Sequence, residues 1–181
     1  MTKTPTLPTL TLAALLGACT TSPQAPSFSQ QALPAAVQVP PGHKVVLETV
    51  GVGEITYECR AKSGADGQHE WVFVGPVATL QDRAGKSLGR YFGPPATWAH
   101  ADGSALTGTQ LAVAPAGAGN IPLQLVKANP ATGTGVLNGV THIQRVATQG
   151  GVAPAKACSA ASLGQREIVR YQADYIFWKA A

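Results

Sequence analysis

Charge is scarce in this chain. Its 181 residues include 13 Lys+Arg and 9 Asp+Glu, so that 12% are charged, against about 25% in an ordinary soluble domain. Equipment for acid–base chemistry is correspondingly thin. The basic residues form no cluster, and with a formal net charge of only +4 this excludes the basic stripe of a nucleic-acid-binding face. No apolar run approaches the roughly 18 residues of a membrane-spanning helix. Long uninterrupted segments are missing too, because 20 Gly and 14 Pro punctuate the backbone. Over most of the chain a helix of about 12 residues finds no room. The four histidines, His43, His69, His100 and His142, form no His-x-His or His-x₃-His pair, so no metal site is expected. What the chain has is a 45% apolar content, enough for a core and too much for wholesale disorder. It also has three cysteines, an odd number that asks for separate roles.

The N-terminus suggests the first role. Met1–Lys3 is a short basic start, Leu7–Leu16 is a compact apolar stretch, and Gly17, Ala18 and Cys19 follow. Small residues after a short apolar segment mark a secretory signal over residues 1–18. The string Leu16-Gly17-Ala18-Cys19 resembles the lipobox of bacterial lipoproteins, which implies a lipid on the Cys19 thiol and a membrane partner reached through it. Thr20, where Asp would be the retention signal, resembles the outer-membrane class. The expected location is therefore the cell envelope, on an outer membrane and facing periplasm or surface. The alternative is an ordinary cleaved signal with a chance cysteine. Residues 19–38 are rich in Thr, Ser, Pro, Gln and Ala and read as a flexible tether.

From Val39 to Ala181 the texture is that of one all-β domain. Val45-Val46-Leu47 with Val50 is β-branched and closed by Gly51 and Gly53. Ile55, Tyr57 and Cys59 share one face of the next segment, and Trp71 and Phe73 share another. Val77–Gln81 and Ser87–Phe92 flank Asp82-Arg83-Ala84-Gly85, a hairpin loop with Gly where φ is positive. Leu106–Val113, Ile121–Val126 and Val136–Val146 are further short segments. Gln165–Ala181 lacks Gly and Pro. As a strand it puts Val169, Tyr171, Ala173, Tyr175 and Phe177 on one apolar face, and its aromatic and β-branched content favours that reading over a helix. A short helical turn fits only near 155–162. The pattern predicts a β-sandwich of roughly eight to ten short, mostly antiparallel strands, with a closed barrel as the alternative. If Cys19 carries lipid, Cys59 and Cys158 are left as a pair in an oxidising compartment and are expected to form a disulfide, the alternative being two free thiols.

Several strings together resemble the family of domain of unknown function 3455, over about Pro40 to Lys179. They are Tyr57-Glu58-Cys59, Trp71, Pro76-Val77-Ala78-Thr79-Leu80, and Gly93-Pro94 with Trp98. Further along come Asp102-Gly103-Ser104, Ile121-Pro122, Ile143-Gln144-Arg145, Thr148 with Gly150-Gly151, Cys158, and Ala173-Asp174-Tyr175. The resemblance implies no established activity. Members often carry His where Tyr91 or Arg90 stands here, so a site built on that His is not expected in this chain.

A dehydrogenase label borne by some members is excluded by the residues. Gly51-Val-Gly53, Gly117-Ala-Gly119 and Gly133-Thr-Gly135 each lack the third glycine and the helix that a dinucleotide site needs. No cofactor is expected. His100, Asp102 and Ser104 alternate along the chain, but the carboxylate stands between the other two, which is the wrong order for a nucleophile–base–acid relay. Asp102-Gly103-Ser104 reads better as a turn. Tyr91 and Phe92, then Gly-Pro-Pro, then Trp98 suggest an extended loop with aromatics at both ends. Tyr91, Phe92, Trp98, His100, Asp102 and Ser104 are accordingly the candidate ligand-binding residues, for a carbohydrate or a small apolar ligand. Alternatively, Trp98 plugs the core. Arg145 and Asp174 each interrupt an apolar strand and are expected to pair, unless both face solvent. The expected role is non-catalytic, in ligand binding or in the envelope. A hydrolase with a His/carboxylate site assembled by the fold and a purely structural envelope component are the alternatives.

Overall fold

The structure is a computed structural model that describes Met1 and residues 28–181. The signal segment, Cys19 and most of the tether lie outside the described residues. Eight strands follow one another: β1 (His43–Ala61), β2 (His69–Gln81), β3 (Ser87–Phe92), β4 (Thr97–His100), β5 (Ala105–Ala114), β6 (Leu123–Ala128), β7 (Val140–Gly150) and β8 (Arg166–Ala180). The expected helical turn is a single 3₁₀ turn, Ala160–Ser162. Each strand pairs antiparallel with its successor, and β8 returns to pair with β1 from His43↔Ala180 to Glu58↔Arg166. The all-β expectation holds. Of the two arrangements left open, the pairing makes the closed barrel, in which no strand end-to-end is left as a sheet edge.

Two features of the sequence shape this closure. In the Asp82–Lys86 connection, Gly85 adopts φ 86° and the Asp82 carboxylate accepts the N–H groups of Ala84 and Lys86, both at 2.9 Å. This is the hairpin predicted from Gly and Asp. Gly51 and Gly53, by contrast, do not punctuate anything. They lie mid-strand in the 19-residue β1, with side-chain positions directed into the barrel. A β-carbon at Gly51 would stand 2.5 Å from Cε2 of Tyr175, and one at Gly53 would overlap the Val77 carbonyl and come within 2.5 Å of the Ala78 Cα. Glycine here admits close approach of a neighbouring ring and of the next strand.

Inward residues alternate along each strand and fill the barrel. The β8 face predicted from the sequence is the inward one: Tyr171, Ala173, Tyr175 and Phe177 pack with Ile55, Leu80, Leu106, Val126 and Ile143. The interior is apolar and packed, unlike the polar lumen of a membrane-spanning barrel. On one sector the outer wall is also apolar, because Leu125, Val146, Ile176 and Trp178 form a second cluster with Val37 and Val39. Residues 28–39 lie over it as a strap. Phe28 meets Trp178 edge-on at 6.2 Å between ring centroids. The buried Gln144 amide donates to the Val37 carbonyl (2.7 Å) and to Gln30 Oε1 (3.0 Å), and accepts from Trp178 Nε1 (2.9 Å). The sequence reading assigns residues 28–38 to the tether, whereas the structure joins them to the domain. Composition suggested a tether, but Phe28, Leu33, Val37 and Val39 bury enough surface to offset the cost of ordering.

Candidate functional site

The six candidate ligand-binding residues do not form one surface. Tyr91 and Trp98 are barrel core. Their rings are 4.8 Å apart, and Tyr91 also packs against Tyr175 at 4.9 Å with the two rings tilted by 45°. Trp98 is 1% exposed, so it plugs the core rather than walling a groove, and its buried indole N–H finds no acceptor. Phe92 follows Tyr91 and therefore points outward. It is 38% exposed, with the Arg90 guanidinium 5.9 Å above its ring. Burial raises the phenol pKa values of Tyr91, Tyr171 and Tyr175, so these hydroxyls keep their protons.

His100, Asp102 and Ser104 do converge, as a turn. Asp102 Oδ1 accepts the Ser104 hydroxyl at 2.6 Å and the Ser104 N–H at 2.9 Å, and Oδ2 accepts the Val136 N–H at 2.7 Å. His100 Nδ1 lies 3.0 Å from Oδ2. The Ser104 hydroxyl is fully buried and in turn accepts the Leu137 N–H at 3.3 Å. The carboxylate thus ties the β4–β5 turn to the 129–139 connection, which places buried Leu137 over one end of the barrel. The Ser104 hydroxyl, and after it the two backbone N–H groups, hold the Asp102 carboxyl well below the usual carboxylate range. A carboxyl whose pKa is depressed by folding contributes stability that is complete above its unfolded value near 3.8 and is lost as pH falls toward the folded one. Asp102→Ala is therefore expected to lower the melting temperature by a constant amount from about pH 5 to 8, with the gap to wild type closing below about pH 4. A gap that does not narrow in acid would contradict this assignment.

Arg145 and Asp174 do not pair. Arg145 stands opposite Tyr175, and Asp174 stands opposite Val146, so the two side chains leave the sheet on opposite faces. Asp174 Oδ2 instead binds Arg83 Nη2 at 2.7 Å, with Glu48 at 3.8 Å from the same nitrogen. The Arg145 guanidinium caps the Pro122 carbonyl at 2.9 and 3.2 Å. His43 and His142, far apart in sequence, meet edge-on at 4.8 Å between centroids. Burial, then the neighbouring His43 and Lys127, lower the His142 pKa. The disulfide between Cys59 and Cys158 is formed.

A broad concavity lies on the outer wall of β3, β2, β1, β8 and β7 and has a volume of about 790 Å³. Strand register builds it from two adjacent rows. The first runs across five strands as Arg90, Thr79, Val52, Gln172 and Gln149. The second runs as Phe92, Val77, Glu54 and Arg170. Val52 and Val77 are 42% and 67% exposed, so apolar patches sit among amide, hydroxyl and guanidinium groups. None of the predicted site residues lines it; Phe92 borders it only through its register with Val77. The lining residues were missed because each is an ordinary outward residue of its own strand, and only the cross-strand register gathers them.

The strings that carry the family resemblance have mostly structural places. The Tyr57 hydroxyl donates to the Gly151 carbonyl at 2.8 Å, and Thr148 Oγ1 donates to the Ile121 carbonyl at 2.7 Å. The family model described as "Protein of unknown function (DUF3455)" matches residues 40–179. No curated protein and no solved structure matches the chain.

Proposed function

The chain belongs to the DUF3455 family, and from that premise we propose that it is a non-catalytic binding protein of the cell envelope, tethered by a lipid on Cys19, whose recognition surface is the concave outer wall of β3-β2-β1-β8-β7. The observation that carries this reading is the two-row array itself. Gln149, Gln172 and Thr79 offer both donors and acceptors to a ligand rich in hydroxyl groups, while Val52 and Val77 offer apolar contact to its C–H faces. A carbohydrate has both kinds of surface. The Asp102 turn does not support hydrolysis, because its serine hydroxyl is buried and donates to the carboxylate. The full chain, purified in detergent, should gain thermal stability with at least one member of a panel of oligosaccharides and fatty acids. The gain is about 2.7 kcal/mol at a hundred times Kd. Val52→Glu, which fills the middle of the concavity, should abolish that gain. A stabilising ligand whose effect survives Val52→Glu would place binding elsewhere and defeat the reading.

A further inference from the structure

We infer, building on the carbohydrate reading above, that the outer concavity takes an acidic sugar chain and that Arg90 and Arg170 are the residues that hold its carboxylates. Arg60, Arg83 and Arg166 each bind a protein carboxylate, and Arg145 caps a backbone carbonyl. Among the described residues, Arg90 and Arg170 are the two arginines whose guanidinium groups neither salt-bridge nor hydrogen-bond to the protein, and both line this one concavity. Arg90 instead lies over the exposed Phe92 ring, a contact that leaves its N–H fork without a protein acceptor. Glu54 stands opposite Arg170 in the register but makes no ion pair with it, so the concavity keeps an excess of positive charge.

The placement of the two arginines determines the kind of acid. Arg90 is on β3 and Arg170 on β8, with β2 and β1 between them, which separates them by three strand spacings, roughly 14 Å. Backbones that far apart leave room for two carboxylates, one at each guanidinium, on a chain laid across the strands with its hydroxyl groups on Thr79, Gln172 and Gln149. The closed sheet also argues against an acidic peptide, because β1, β2 and β8 already have neighbours on both sides and offer no edge to main-chain pairing.

The test compares polygalacturonate with the same polymer fully methyl-esterified, by calorimetry on the full chain in detergent at low salt. The acid polymer should bind and the ester should not. Arg90→Gln and Arg170→Gln, both at exposed positions and both checked for fold by circular dichroism, should each weaken binding on the order of tenfold. Equal binding of acid and ester, abolished in both by Val52→Glu, would overturn the charge assignment and leave the carbohydrate reading intact. Binding of the acid polymer that neither arginine variant alters would overturn the assignment and the concavity together. Failure of the acid polymer to bind would overturn the inference, with the carbohydrate reading then resting on the wider panel.

Discussion

Gly53→Val should leave the chain unable to complete its barrel, and Gly53→Ala should already cost about 3 kcal/mol or more. The residue faces inward from β1, and a β-carbon there would run into the Val77 carbonyl and the Ala78 backbone of the adjacent strand. A side-chain neighbour could change rotamer, but a paired backbone cannot move without loss of the β1–β2 ladder. The strand pair would have to separate in the regularly paired stretch from Gly51↔Leu80 to Glu54↔Val77. Val52 is the internal control. It points outward from the same strand, and Val52→Ala should stay within about 0.5 kcal/mol of wild type. Chemical denaturation of the three variants checks both sides. A Gly53→Ala protein as stable as Val52→Ala would mean that the two strands lie farther apart than the structure has them.

Removal of the disulfide is the second large effect. Cys59 is fully buried at the far end of β1, and Cys158 lies in the 151–165 connection, whose regular structure is a single 3₁₀ turn. The bond spans 99 positions of sequence, for which the chain-entropy account gives about 4.7 kcal/mol, while native bridges typically contribute about 2–5 kcal/mol. Backbone pairing of Cys59 with Gln165 and Gly164 at 2.9 Å holds part of the connection independently of the sulfur bond. The double variant Cys59→Ala, Cys158→Ala should therefore fold but melt roughly 5–15 °C lower, at 2–4 °C for each kcal/mol in a domain of this size. Reductant should lower the wild-type melting temperature by a similar amount and leave the variant unmoved. A wild-type transition insensitive to reductant would remove the bridge from the account of stability.

The sequence was most legible where one residue's neighbours along the chain decide its fate. Asp82 and Gly85 make their hairpin alone, and the alternation from Val169 to Phe177 needs only a strand and a core. Partner choice is different in kind. Gly51 and Gly53 carry the same signal whether they end a strand or admit a ring beside it, and only the presence of Tyr175 and β2 distinguishes the two. Arg145 and Asp174 miss each other because pairing two strands in register sends neighbouring positions to opposite faces. Trp98 shows the same limit for function. An aromatic beside prolines fits a groove as well as a core plug until Tyr91 and Tyr175 are seen packed around it. The outer concavity was illegible for a related reason, since its nine row positions come from five strands spread between Glu54-bearing β1 and β8.

The strap over the second apolar cluster has a mechanical consequence. Phe28 is held by Trp178, and its N–H donates to Glu48 Oε1 at 3.0 Å. Any leash from Cys19 is thus only nine residues long before it meets a fixed point, a reach of roughly 30 Å at full extension. A lipid on Cys19 would moor the barrel within about its own height of the bilayer, by the end where β8 finishes.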